Sequence, residues 1–318
     1  MDKRAFTSAS TYPVKLLQYE VVSDIARYQR IRPLHLQLNP TNRCNLKCKF
    51  CSCSNKDNHE MPIEQAYDIL YRYYAMGTKA LTISGGGDPM CYPGINDLIK
   101  AASNIGHGGI QVGLVTNGVL LPRLDKGLQI KWCRISVDGD HLISNETIDK
   151  IKEMPHVDWA FSYVLQPHNY SNLTRAVLLA NELNLTHVRV VDDILSKEES
   201  KINHARDILE RHGIDLSRVI FQGRKDHTPG CKECRIGLIK PNIDAHGDVY
   251  SCCGVQYSKA TPDLNFNTEF SLGNDYEGIV ERQVVFDGSK CDVCYYCQYN
   301  GMLNSIIEAQ DIEHGKFI

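Results

Sequence analysis

From residue 34 to about residue 215 the chain alternates between two apolar patterns. Short runs rich in Ile, Leu and Val occur at Leu34–Leu38, Lys79–Ile83, Ile110–Val115, Trp132–Val137, Asp158–Leu165 and Val188–Val191. Their length and residue types are those of strands. Between them, apolar residues return every three or four positions, which predicts helices over Pro62–Met76, Ile95–Ser103, Ile143–Lys152, Asn172–Leu183 and Glu198–His212. Pro62 at the opening turn of the first helix and Gly77 just past its end are the expected start and stop residues. Strand–helix alternation of this kind predicts a parallel α/β unit. Six such units are too few to close an eight-stranded barrel, and no Gly-x-Gly-x-x-Gly turn follows the first strand as a dinucleotide fold would need. The expected fold is therefore a partial (β/α)6, TIM-like barrel over residues 31–215.

The flanks differ. Residues 1–30 read as a helical lead-in, with a helix from Val14 to Tyr28. From residue 216 the period changes to short strands, tight turns such as Ala245-His246-Gly247-Asp248, and paired cysteines. This predicts a small C-terminal domain over residues 216–318, closed by a helix near Met302–Gln310. No internal repeat or low-complexity segment interrupts this plan.

Strand parity then separates an inner from an outer barrel face, because alternate residues point to opposite sides. His35, Gln37 and Asn39 share one face of the first strand. Arg134, Ser136 and Asp138 share one face of the fourth, and His187, Arg189 and Asp193 one face of the sixth. Helices cover the outside of such a barrel, so these polar faces are expected to line the lumen. Gln37, Arg134, Asp138, Arg189 and Asp193 are candidate substrate contacts; the competing reading makes Arg134–Asp138 and Arg189–Asp193 buried ion pairs.

Composition narrows the class. A net charge of −3 over 318 residues offers no basic face for nucleic acid. No apolar run is long enough for a membrane span, and no hydrophobic segment follows Met1-Asp2-Lys3-Arg4-Ala5-Phe6 as a secretion signal would. A cytoplasmic protein without a membrane partner is expected. Thirteen cysteines then point to metal thiolates rather than disulfides. They are clustered: Cys44, Cys48, Cys51 and Cys53 near the start, and seven between Cys231 and Cys297. Cys91 and Cys133 stand alone and are expected to be small buried apolar residues.

The first cluster, Cys44-x3-Cys48-x2-Cys51, directly follows the first strand. Three thiolates leave one iron of a four-iron cluster without a protein ligand, and an iron with an open position can chelate a small molecule. The alternative is a structural zinc site, for which Cys53 or His59 would supply the fourth ligand. With Phe50 before the third cysteine, the segment resembles the signature of radical S-adenosylmethionine (radical SAM) enzymes. The resemblance continues along the chain. Ser84-Gly85-Gly86-Gly87-Asp88-Pro89 is similar to that superfamily's Gly-Gly-Glu-Pro turn, with Asp88 where glutamate is usual. Thr116-Asn117-Gly118 and Ile135-Ser136-Val137-Asp138-Gly139 resemble strand-end motifs of the branch that carries extra C-terminal clusters. It implies a SAM-binding [4Fe–4S] cluster on Cys44, Cys48 and Cys51. It further implies cofactor contacts at Phe50, Gly86, Gly87, Asp88, Asn117 and Ser136, and a 5′-deoxyadenosyl radical that takes a hydrogen atom from substrate.

The second group reads Cys231-x2-Cys234, Cys252-Cys253 and Cys291-x2-Cys294-x2-Cys297, with Gly247 placed to turn the chain between Cys234 and Cys252. This resembles the auxiliary-cluster domain of the same superfamily in its shortened, twitch-like form. The resemblance implies one auxiliary [4Fe–4S] cluster on Cys234, Cys252, Cys291 and Cys294, with Cys231, Cys253 and Cys297 leaving the choice open. Spacing alone also permits a zinc ribbon. The implied activity is dehydrogenation, rearrangement or bond cleavage of a small polar metabolite, cyclitol- or sugar-like or nucleobase-derived as in 7-deazaguanines. An electron donor such as flavodoxin or ferredoxin would be its partner. The alternatives are a peptide-modifying maturase and a non-enzymatic zinc or iron–sulfur protein.

Overall fold

The computed structural model describes residues 24–25, 28, 30–53, 57–138, 142–166, 168–193, 196, 199–223, 230–254, 270–291, 294 and 297–308. The helical lead-in expected over residues 1–30 lies outside these, apart from Asp24, Ile25, Tyr28 and Arg30. Six strands appear where the apolar runs predict them: β1 (His35–Leu38), β2 (Ala80–Ile83), β3 (Gln111–Thr116), β4 (Trp132–Val137), β5 (Asp158–Leu165) and β6 (His187–Asp192). They pair in sequence order, each parallel to the next. The helices between them are α1 (Ile63–Ala75), α2 (Ile95–Asn104), α3 (Asn145–Glu153), α4 (Tyr170–Glu182) and α5 (Ile202–Arg211). The result is a mixed α/β fold on a parallel sheet.

Three further strands escape the periodicity. β7 (Val219–Gln222) adds a parallel strand beside β6. β8 (Asn242–Ile243) pairs parallel with β1 at the opposite edge and antiparallel with β9 (Val249–Tyr250). The sheet order is β7-β6-β5-β4-β3-β2-β1-β8-β9. Two residues are too few to show alternation, so β8 and β9 are defined by their pairing rather than by local pattern.

Local rules account for the helix bounds. α1 buries Ala66, Ile69, Leu70 and Tyr73, a stripe at helical spacing, against the sheet. α3 begins two residues later than the pattern predicts because Ser144 caps it, its hydroxyl accepting from the Thr147 N–H. α5 starts at Ile202, not Glu198. Asp192, at the end of β6, holds the preceding turn by accepting from the Ser200 hydroxyl at 2.6 Å and the Lys201 N–H at 3.1 Å.

One sheet face is apolar and covered by helices, with Leu36, Leu81, Leu114, Ile135, Phe161 and Val188 all buried. The opposite face carries the polar set. In register, Gln37 lies beside Thr82 and Asn242, Ser136 beside Ser162, and Ser162 beside Arg189. Among the described residues no helix is long and apolar enough to cross a membrane.

Candidate active site

The loop after β1 carries Cys44, Cys48 and Cys51, all half-buried. Its base is fixed by buried residues. Asn39 donates from Nδ2 to Asn242 Oδ1 at 3.2 Å, tying the end of β1 to β8. The Asn42 N–H donates to the His59 carbonyl at 2.8 Å. The glycine turn after β2 lies against the same loop: the Gly87 N–H donates to the Thr41 carbonyl at 3.0 Å and the Asp88 N–H to the Arg43 carbonyl at 2.8 Å. A Cβ at Gly87 would sit 1.8 Å from the Arg43 carbonyl oxygen, so only glycine permits this approach. The sequence pattern predicts a glycine here to admit a cofactor; its first constraint in the structure is to seat the cysteine loop.

Asp88 is 4% exposed, and its carboxylate is engaged by the protein. It accepts from the Met90 N–H at 2.9 Å, from the Thr116 hydroxyl at 3.0 Å and from the Asn117 N–H at 2.5 Å. This carboxylate therefore joins the ends of β2 and β3. Asn117 in turn donates from Nδ2 to Asn45 Oδ1 at 2.8 Å and to Cys44 Sγ at 3.8 Å, and the Leu46 N–H donates to Cys44 Sγ at 3.5 Å. Two N–H donors thus point at the Cys44 sulfur. Phe50 and Ser136 are half-buried. Cys133 is fully buried as expected, but Cys91 is only half-buried and its thiol points to Asn45 Oδ1 at 3.7 Å, beside the cluster loop rather than in the core. Gly139 lies outside the described residues.

A contact with no local sequence signal binds this loop to the C-terminal hairpin. Asp57 Oδ2 lies 2.6 Å from His246 Nε2, and the His246 ring stacks on His59 with centroids 4.0 Å apart. Burial would raise the Asp57 carboxyl, but hydrogen bonds from Asn42, the His59 N–H and His246 outweigh it and lower the group to about 2. Asn42 thus links the first cysteine loop, through Asp57, to the turn that precedes β9.

The predicted substrate contacts lie along the polar sheet face or just past the ends of its strands. Gln37 and Asp138 are buried. Arg134 lies over the Trp132 ring at 5.6 Å. Arg189 donates from Nη2 to Ser162 Oγ at 3.2 Å. Asp193 accepts from Gln166 Nε2 at 3.2 Å. His187 shares the face but was not among the candidates; burial, then the charges of Arg134 and Arg189, push its imidazole down to about 4.

The second cysteine group surrounds a cavity lined by Cys231, Cys234, Cys252, Cys291 and Cys294 with Phe286. Cys234 and Phe286 exchange backbone hydrogen bonds at 2.9 and 3.1 Å, and the Gly230 N–H donates to the Cys291 carbonyl at 3.2 Å. Cys231, left open by the spacing, is on the wall; its sulfur accepts from Asn300 Nδ2 at 3.1 Å. Cys253 is described but does not line the cavity, and the Cys297 side chain lies outside the described residues. Burial pushes the Cys234 thiol up to about 12. A buried thiol of this kind ionises when a cation binds it.

All twelve described cysteines are thiols, none in a disulfide. Among the described residues no three His, Cys, Asp or Glu side chains converge on a point as a single ion requires. Thiols distributed around a cavity, and a half-buried triad on one loop with N–H donors at the Cys44 sulfur, fit iron–sulfur clusters, whose irons keep the ligand sulfurs apart.

Residues 38–161 match the domain described as the radical SAM superfamily. GTP 3′,8-cyclase of Alkaliphilus oremlandii is 30% identical over 113 residues, 33% of this chain and 35% of that protein. An S-adenosylmethionine-dependent nucleotide dehydratase of Flammeovirga pacifica is 26% identical over 125 residues, 36% of this chain and 42% of that protein. The chain thus spans about a third of the length of the first of these curated relatives. The crystal structure of SuiB from Streptococcus suis bound to the precursor peptide SuiA superposes with a TM-score of 0.57 at 16% identity, over 90% of this chain and 76% of that one. That likeness is one of fold.

Proposed function

This chain belongs to the radical SAM superfamily, and from that premise we propose that it is an enzyme acting on a small polar metabolite held in the barrel lumen. The observation that carries the reading is the triad Cys44, Cys48 and Cys51 on one half-buried loop after the C-terminal end of β1. When bound, a [4Fe–4S] cluster and SAM supply a 5′-deoxyadenosyl radical able to take a hydrogen atom from an unactivated carbon. The protein's share is positional. Cys44, Cys48 and Cys51 hold the cluster, and Asn117 and the Leu46 N–H stabilise the Cys44 thiolate. The Gly85–Gly87 turn sets the loop's height, while Asp88 keeps the ends of β2 and β3 in register without spending its carboxylate on ligand. Phe50, Gly86 and Ser136 remain for the cofactor's own groups.

Names of the matched relatives favour a nucleotide-derived substrate over a cyclitol. The peptide-modifying reading rests on a likeness of fold alone. We assign the C-terminal cavity to an auxiliary cluster on Cys234, Cys252, Cys291 and Cys294, within a cysteine-rich unit over residues 216–318 beside a barrel of residues 31–215. A low-potential donor such as flavodoxin or ferredoxin would reduce the first cluster.

The test is the Cys44→Ala/Cys48→Ala/Cys51→Ala variant, reconstituted anaerobically. About four irons per chain should be lost, and 5′-deoxyadenosine formation with dithionite should stop. Continued production of 5′-deoxyadenosine by this variant would refute the reading.

A further inference from the structure

The cavity between the C-terminal cysteines carries its own set of donors. Asn300, buried on the helix Cys297–Glu308, donates from Nδ2 to Cys231 Sγ at 3.1 Å and to the Glu233 carbonyl. Its Oδ1 accepts from the Arg235 N–H at 2.6 Å. The Ile236 and Gly254 N–H groups face the Cys234 and Cys252 sulfurs and oppose the rise that burial imposes on those thiols. Apart from its cysteines, the wall is made of glycines, Phe286 and Ser251. Ser251 directly follows β9 and precedes Cys252. It is 1% exposed, and its hydroxyl has no hydrogen-bond partner among the described residues. The short helix Ile236–Ile239 packs closely against it: a Cβ on Gly237 would lie 2.7 Å from the Ser251 Cα and 3.3 Å from its Oγ. A hydroxyl taken out of water without a partner costs free energy, and this one lies on the wall of a cavity ringed by thiols.

We propose that the Ser251 hydroxyl donates a hydrogen bond to a sulfur of the auxiliary cluster and raises its reduction potential, which fits the cavity for an electron-accepting role. This rests on the cavity holding the auxiliary [4Fe–4S] cluster assigned above. The sulfurs of a cluster gain electron density on reduction, so a donor aimed at one stabilises the reduced form more than the oxidised form. Five thiols stand around the cavity, those of Cys231, Cys234, Cys252, Cys291 and Cys294, and four irons need no oxygen ligand beside them. The hydroxyl is thereby left to act as a donor rather than as a ligand. With the N–H groups of Ile236, Gly254 and Asn300 it completes a ring of donors on one cavity. Such a ring favours taking up an electron over giving one away, as an oxidative reaction would require.

A redox titration followed by electron paramagnetic resonance tests this on the full chain carrying Cys44→Ala/Cys48→Ala/Cys51→Ala, in which the auxiliary cluster alone gives the signal. In that parent, Ser251→Ala should move the reduction equilibrium roughly tenfold toward the oxidised cluster, a midpoint about 59 mV lower. Ser251→Thr, which keeps the hydroxyl, should titrate with the parent. Ser289→Ala should do the same, since the Ser289 hydroxyl is exposed and donates to Asp287 at 2.6 Å. Iron content of about four per chain and melting temperature establish that each variant is intact. If Ser251→Ala is not, Ser251→Gly, which removes the same hydroxyl, decides. An equilibrium in Ser251→Ala within about twofold of the parent's overturns the proposal. So does an equal fall in Ser289→Ala, which would give the effect to general packing of the cysteine-rich unit. Absence of iron from the parent would instead sink the auxiliary-cluster assignment, and the proposal with it.

Discussion

Asp88 and Gly87 are adjacent, yet they constrain the site in different ways. Asp88 is bound through its side chain, whose removal would leave the Thr116 hydroxyl and two backbone N–H groups without their acceptor. Gly87 is bound through what it lacks. In Gly87→Val the new side chain meets the backbone of Asn42 and Arg43, the two residues before Cys44, and backbone cannot rotate away. The cysteine loop must move. The expected outcome is a stability loss of about 1–3 kcal/mol, the usual cost of overpacking, together with lost iron from the first cluster. Iron analysis and thermal melts of the variant measure both. Full iron loading with only SAM affinity reduced would instead mean that the valine fills the cofactor's space and leaves the loop alone.

At the scale of elements, the turn between β8 and β9 holds the loop that follows the first cysteines through His246, Asp57 and His59. Removing the ring in His246→Ala should loosen that turn, read as faster amide exchange over residues 242–250. It should also return the Asp57 carboxyl toward its ordinary value. Because the folded group lies near 2, below the unfolded value of about 3.9, its stabilisation is full above pH 4 and fades as pH falls toward 2. Melts of the metal-free chain between pH 5 and 2.5 should therefore find the variant less stable than wild type at pH 5, with the gap narrowing as pH falls. Unchanged exchange and an unchanged acid profile would remove this contact from the account.

None of this is written locally, since Asp57 and His246 are 189 positions apart. Strands β1 to β6 were legible because each is a run of four or more residues with one face against helices. β8 and β9 were not, having two residues each, with β8 pairing to a strand distant in sequence. That Cys44, Cys48 and Cys51 share one loop after β1 was legible from their spacing. The hydrogen bonds of Asp88 were not, because two of their donors, the Thr116 hydroxyl and the Asn117 N–H, come from the end of another strand.

The whole molecule places one cysteine site on a barrel loop and the other in a cavity of the C-terminal region. If the auxiliary cluster takes the second electron of an oxidation, Cys291→Ala/Cys294→Ala should still form 5′-deoxyadenosine while substrate turnover disappears. If the reaction is redox-neutral, turnover should persist in part. Quantifying 5′-deoxyadenosine and product together distinguishes the two. Loss of both with the first cluster and the fold intact would mean that the sites do not divide the work.

The pairing of β1 with β8 also orders the birth of the protein. Leu34, Gln37 and Asn39 donate their N–H groups to the Ile239, Pro241 and Ile243 carbonyls, about 205 residues further along the chain. At a ribosomal rate of roughly 5–20 residues per second, this edge of the sheet stays uncovered for 10 seconds or more after β1 emerges. A bare strand edge invites pairing with another chain, and this one leads into the loop of three free thiols. The nascent barrel is thus most vulnerable where its chemistry will later reside, and it becomes safe only when the C-terminal hairpin arrives.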